Sequence, residues 1–138
     1  MREIAIAYVA AAAVMAGLDF IWLKLTVDSL YRGALVGLIA EKPNMAGAVA
    51  FYVIYVAGMV IFAVRPGLEE ADWRVSLMWG ALFGFFAYAT YDLTNLATLK
   101  DWPAGISLID IAWGTFLTAT AASAGTAATL ALEARMGW

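Results

Sequence analysis

The chain contains no cysteine and no histidine among its 138 residues. The first absence excludes disulfide frameworks and thiolate zinc sites. The second excludes histidine-ligated haem, Ser-His-Asp triads and imidazole general bases. Charge is also scarce: 14% of residues are Asp, Glu, Lys or Arg, against roughly 25% in a typical soluble domain. Net charge is −3 with no basic cluster, so nucleic acid is not an expected partner. Proline occurs only at 43, 66 and 103. What fills the chain instead is apolar, with 64% hydrophobic residues, 14% aromatic residues and a mean hydropathy of +0.83. Too little polar surface remains to cover a water-soluble globule. The expected surroundings are a lipid bilayer.

A bilayer-spanning helix needs about 20 mostly apolar residues. Four stretches qualify: Ile4 to Leu25, Met45 to Val64, Trp73 to Leu99 and Ile106 to Leu132. The separators hold the charges and the helix breakers: Lys42-Pro43-Asn44, then Arg65-Pro66-Gly67 with Glu69, Glu70 and Asp72, then Lys100-Asp101-Trp102-Pro103. Such short connections predict an all-α, single-domain antiparallel bundle of four transmembrane helices. Between the first two spans, Val27, Leu30, Tyr31, Ala34, Leu35, Leu38 and Ile39 fall on one helical face. That spacing predicts a short amphipathic interfacial helix over 27–41, or a continuation of the first span out of the bilayer. The N-terminal stretch resembles a signal peptide in its Arg2 and its alanine-rich run. Hydrophobicity continues through Phe20-Ile21-Trp22-Leu23, however, which gives spanning length. Basic residues divide evenly between the two sides, Arg2, Arg65, Arg74 and Arg135 against Lys24, Arg32, Lys42 and Lys100. Only the N-terminal amine tips both termini towards the cytoplasm.

Three acids lie inside the spans: Asp19, Asp92 and Asp110. The remaining eight acids match the eight Lys and Arg, so the formal charge of −3 equals these three carboxylates. An ionised Asp at a helix centre costs about 2.5–3.5 kcal/mol on insertion scales. With alternating topology all three approach one membrane face, on the order of 8–12 Å below it at about 1.5 Å rise per residue. The second span brings Asn44, Tyr52 and Tyr55 to similar depth. On the helical wheel Asp92 follows Gly80, Gly84 and Tyr88, with Asn95 beside it. Asp110 shares a face with Gly114, Ala121, Gly125 and Ala128, and Asp19 with Tyr8, Ala12 and Ala16. Small-residue stripes let helices approach, so the carboxylates are expected to point inward.

A local pattern repeats, Asp19-Phe20-Ile21-Trp22 and Asp110-Ile111-Ala112-Trp113. It sets Trp22 and Trp113 beside the carboxylates of their own helices, where an indole N–H can donate. The run from Tyr91-Asp92-Leu93-Thr94-Asn95 through Trp102-Pro103 continues to Asp110-Ile111-Ala112-Trp113-Gly114-Thr115. With Asp19-Phe20-Ile21-Trp22-Leu23, it resembles the small bacterial membrane proteins grouped as domain of unknown function 2177. The resemblance covers nearly the whole chain. It implies a four-helix bacterial inner-membrane protein and brings no activity or catalytic residue with it.

These features favour a one-sided acidic and aromatic pocket that binds or translocates a small solute or protons. Asp92 would be central, Asp19 and Asp110 co-ligands or proton carriers, and Asn95 an orienter, with Tyr52, Tyr55 and Tyr88 lining. The bland reading is a buried polar clasp in which the same Asp, Asn, Tyr and Trp bond one another. Two other functions stay open: a membrane-embedded acid/base enzyme acting on a lipid or isoprenoid, and an accessory or assembly subunit. No spacing motif supports a dedicated metal site, no cofactor is implied, and covalent catalysis has no candidate nucleophile. Four helices are few for a transporter, so transport implies a homo-oligomer. Trp73, Trp102 and Trp138 read as interface anchors, and Lys24 as a snorkelling side chain. The hydroxyls between Thr115 and Thr129 are expected to bond their own helix carbonyls.

Overall fold

The computed structural model describes residues 1–137, which leaves the expected anchor Trp138 outside. Four helices pack together: α1 (Arg2–Ala34), α2 (Met45–Glu69), α3 (Trp73–Thr98) and α4 (Ala104–Met136). Three of them, α1, α2 and α4, are long and apolar enough to cross a membrane. At 26 residues α3 has the length, about 39 Å at the usual rise. Arg74, Ser76, Asp92, Thr94 and Asn95 dilute its apolar character; of these Ser76 and Asp92 are buried, and the helix packs mainly against α4.

Two boundaries differ from the sequence expectation. The first helix continues past Thr26 through a widened π-turn, Val27–Tyr31, and ends at Ala34, with the Arg32 N–H donating to the Val27 carbonyl. The amphipathic pattern of 27–41 is thus half helix and half turn. Leu35 to Leu38 lie in turns, with Gly37 at φ +79°, a conformation that suits glycine. The second helix does not stop at Val64. Pro66 offers no N–H to a carbonyl one turn back, and the π-turn Val60–Val64 widens the ladder just before it. The helix then runs through Arg65-Pro66-Gly67 to Glu69. Asn44 caps the start of α2 by accepting from the Gly47 N–H, and Asp72 caps α3 by accepting from the Arg74 N–H. Asn44 therefore serves its own helix end.

The bundle is inverted in polarity. Ser76, Asp92, Ser107, Thr118, Thr126 and Thr129 are buried, while Phe20, Leu25, Ile54, Phe86 and Leu108 stand out from the surface. Large apolar side chains turned outwards around a hydroxyl-bearing interior match a lipid solvent. Helix α4 is central and packs on both α3 and α1. Against α3 the backbones nearly touch. A methyl at Gly80 would lie 2.8 Å from the Thr118 carbonyl oxygen, one at Gly84 would run into the Gly114 carbonyl, and one at Gly114 into the Tyr88 ring. Gly80-x-x-x-Gly84 thus serves packing inside the bundle. Against α1, Gly125 lies beneath Ala7 and Ala11. The buried line of α1 is Ala7, Ala11 and Met15, one position round from the expected Ala12–Ala16 stripe. Val14 and Leu18 also pack against the core.

Hydroxyls complete the interior. Thr115, Thr118, Thr120, Ser123 and Thr129 bond carbonyls of their own helix, as expected, whereas Thr126 pairs with Ser76 of α3 at 2.6 Å. Ser76 also donates to the Val64 carbonyl of α2, and this joins three helices at the end opposite the aspartates.

Candidate functional site

The antiparallel crossing of α1 and α4 organises the aspartate end. Ala7 faces Gly125, and the same register carried up the pair sets Asp19 opposite Trp113. The two Asp-x-x-Trp motifs consequently exchange partners. Trp113 Nε1 donates to Asp19 Oδ1 at 3.2 Å, across the interface. Trp22 Nε1 donates to the Tyr31 hydroxyl at 3.2 Å, and Tyr31 donates to Asp110. The two indoles stack on each other with centroids 4.3 Å apart and planes 8° from parallel. Neither Trp bonds the carboxylate of its own helix, contrary to the sequence expectation. In an antiparallel pair each motif presents its Trp at the height of the other's Asp, and ring stacking favours that exchange.

Asp19 also accepts from the Tyr52 hydroxyl of α2, so both of its oxygens have donors. It joins α1, α2 and α4. Replacing Trp113 by phenylalanine keeps a ring against Trp22 and withdraws one donor from Asp19. The expected loss is about 1–2 kcal/mol of unfolding free energy. A double-mutant cycle with Tyr52→Phe should show coupling between the two donors.

Asp92 is different. It is 0% exposed, and neither carboxylate oxygen has a hydrogen-bond partner among the described residues. Its backbone carbonyl accepts from Ser107, whose hydroxyl accepts in turn from Trp102 Nε1 at 3.0 Å. Trp102 also meets Tyr91 edge-on at 6.0 Å. It is therefore tied into the bundle end, beyond the plain interface anchor expected of it. Asp110 lies within electrostatic reach of both Asp92 and Asp19, which strings the three carboxylates along one end of the bundle. Asn95 bonds to none of the three aspartates.

Between α2 and α3 the helices part towards their Asn44 and Thr98 ends, because α3 meets α2 mainly at the π-turn Val60–Val64. The gap is a cavity of about 420 Å³ lined by Phe51, Tyr55, Ala87, Tyr88, Tyr91 and Asp110. Tyr55 and Tyr88 meet edge-on at 6.2 Å. Thr118 spends its proton on the Gly114 carbonyl, so Tyr55 is the donor in its 2.8 Å bond to the Thr118 hydroxyl. Three of the nine residues singled out from sequence, Tyr55, Tyr88 and Asp110, line this cavity. Tyr52, Trp22, Trp113 and Asp19 form the neighbouring bonded cluster.

Sequence reasoning overlooked Tyr31 as a partner of Asp110, and Phe51, Ser107 and Thr118. Tyr31 fell on the apolar stripe of the segment after the first span, where its ring accounted for it and its hydroxyl did not. Among the described residues no three acids cluster closely enough to hold a metal ion.

An inverted polarity pattern, three long apolar helices and ionisable groups inside them define a multi-span helical membrane protein. The family model for DUF2177, predicted membrane proteins, matches residues 4–127, and the chain belongs to that family. No curated protein and no solved structure matches it.

Proposed function

We propose that the protein, in a bacterial inner membrane, binds a small solute or lipid-borne group in the cavity between α2 and α3. Asp110 is the polar anchor of the site. The observation that carries this reading is the cavity itself: four aromatic rings and a single carboxylate, on helices that part at one end. Its volume lies within the range of small-molecule sites, and a few polar groups in an apolar lining are what fix a ligand's orientation. Within this proposal the three aspartates divide their roles. Asp19, with both oxygens bonded, holds the helices together, and Asp110 meets the ligand. Asp92 stands behind Asp110, within electrostatic reach of it.

Native mass spectrometry of the gently solubilised protein tests the proposal, with Ala87→Trp as the comparison. Tryptophan at 87 occupies the cavity and leaves all three aspartates in the sequence. The wild type is expected to carry a defined extra mass, and the variant to lose at least about nine-tenths of it, a tenfold weakening. Protein alone in both samples would sink the pocket reading and leave the bonded cluster as a structural clasp.

A further inference from the structure

We infer that the ligand of this cavity is an organic cation, an ammonium-type group carried on an apolar body. The inference rests on the pocket reading above and narrows it to a chemical class. Asp110 is the one charged residue in the lining, and no Lys or Arg lines the cavity. Its Oδ1 takes the Tyr31 hydroxyl, while Oδ2 has no donor among the described residues. A neutral apolar ligand would leave the carboxylate without a counter-charge, and an anion would be repelled by it.

The walls select the same sign of charge. Phe51, Tyr55, Tyr88 and Tyr91 present aromatic rings, whose faces carry negative potential and attract a cation held within about 6 Å. A second, independent feature lies behind the lining. Asp92, wholly buried and without a hydrogen-bond partner, stands within electrostatic reach of Asp110. A cation beside Asp110 also comes within reach of Asp92, and it favours the ionised form of both groups. Of the basic side chains at this end, Arg32 is already engaged with Asp28 at 2.7 Å. A compact inorganic ion would gain little from four rings, whereas an alkylammonium with an apolar body uses the rings and the carboxylate together.

The test compares two probes of one shape and different charge, phenyltrimethylammonium and its neutral isostere tert-butylbenzene. Both are radiolabelled and dialysed against the full chain in lipid nanodiscs, with empty nanodiscs as the blank. The expected result is binding of the cation at least about tenfold tighter than the isostere, as a desolvated cation on aromatic faces gives. Asp110→Asn, which keeps an acceptor for Tyr31 and leaves the four rings in place, should reduce that preference several-fold while the neutral probe still binds. Ala87→Trp should abolish binding of both. Equal affinity of the two probes, or a preference undiminished by Asp110→Asn, overturns the cation assignment and leaves the pocket standing. Failure of both probes to bind overturns the pocket as well.

Discussion

Gly84→Ala is expected to lower unfolding stability by at least about 3 kcal/mol, the upper end of ordinary overpacking costs. The added methyl would run into the Gly114 carbonyl oxygen and the Thr118 side chain. A backbone carbonyl cannot rotate aside, so the α3–α4 pair must separate. That separation would loosen the nearby seat of Tyr88 on Gly114 and the Tyr55–Thr118 bond. The same chemical change at Gly17, whose surroundings are open, should do no harm and raise helix stability by up to about 1 kcal/mol. Reversible unfolding in mixed micelles measures both. A loss at Gly84 no larger than that at Gly17 would mean that the two helices are not packed at backbone contact.

The second large effect carries the opposite sign. Asp92→Leu is expected to stabilise the bundle by about 1–3 kcal/mol at neutral pH, the cost of leaving a buried polar group unmatched. The replacement is nearly isosteric, so packing beside Ser107 is kept, and it removes the unmatched polar group. A group whose oxygens lack partners contributes no bond to lose. Asp19, bonded on both oxygens, should behave in the reverse way, with Asp19→Asn destabilising. Thermal unfolding of the two variants beside wild type distinguishes these outcomes. Destabilisation by Asp92→Leu would show that this carboxylate has a partner in the membrane-embedded protein, and would return it to the clasp.

These opposite signs separate two parts of one acidic end. The bonded part, from Asp19 through Tyr52 and Trp113, sets helix positions. The unmatched part, Asp92 and the free oxygen of Asp110, is the part that ligand chemistry can use. A protein selected for stability alone would have little reason to bury Asp92 unpaired, because such a group costs folding free energy.

The class of protein and its helices were legible in the chain. Apolar runs of spanning length can be satisfied only by helices whose backbone groups bond internally, so composition dictates the architecture before any contact is made. The inward stripes of α3 and α4 were legible for a related reason, since Gly80, Gly84 and Gly114 are useful only where another helix approaches. The common depth of Asp19, Asp92 and Asp110 followed from counting residues along alternating spans. Helix ends were less legible. Pro66 and Gly67 look like a break, yet a π-turn and the packing of Gly67 beneath Ser76 carry α2 onward.

Partnership was settled only by tertiary packing. Two identical Asp-x-x-Trp spacings read locally as two independent pairs, and the antiparallel register of α1 and α4 crossed them. Tyr31 reached Asp110 because a π-turn turned the end of α1 inward, which no periodicity encodes. Three aspartates indistinguishable by depth became one bonded, one shared and one unmatched. Depth and facing are properties of a single helix and follow from its own residues. Which donor meets which carboxylate depends on the rotation and register of two helices together, and only the assembled bundle decides that.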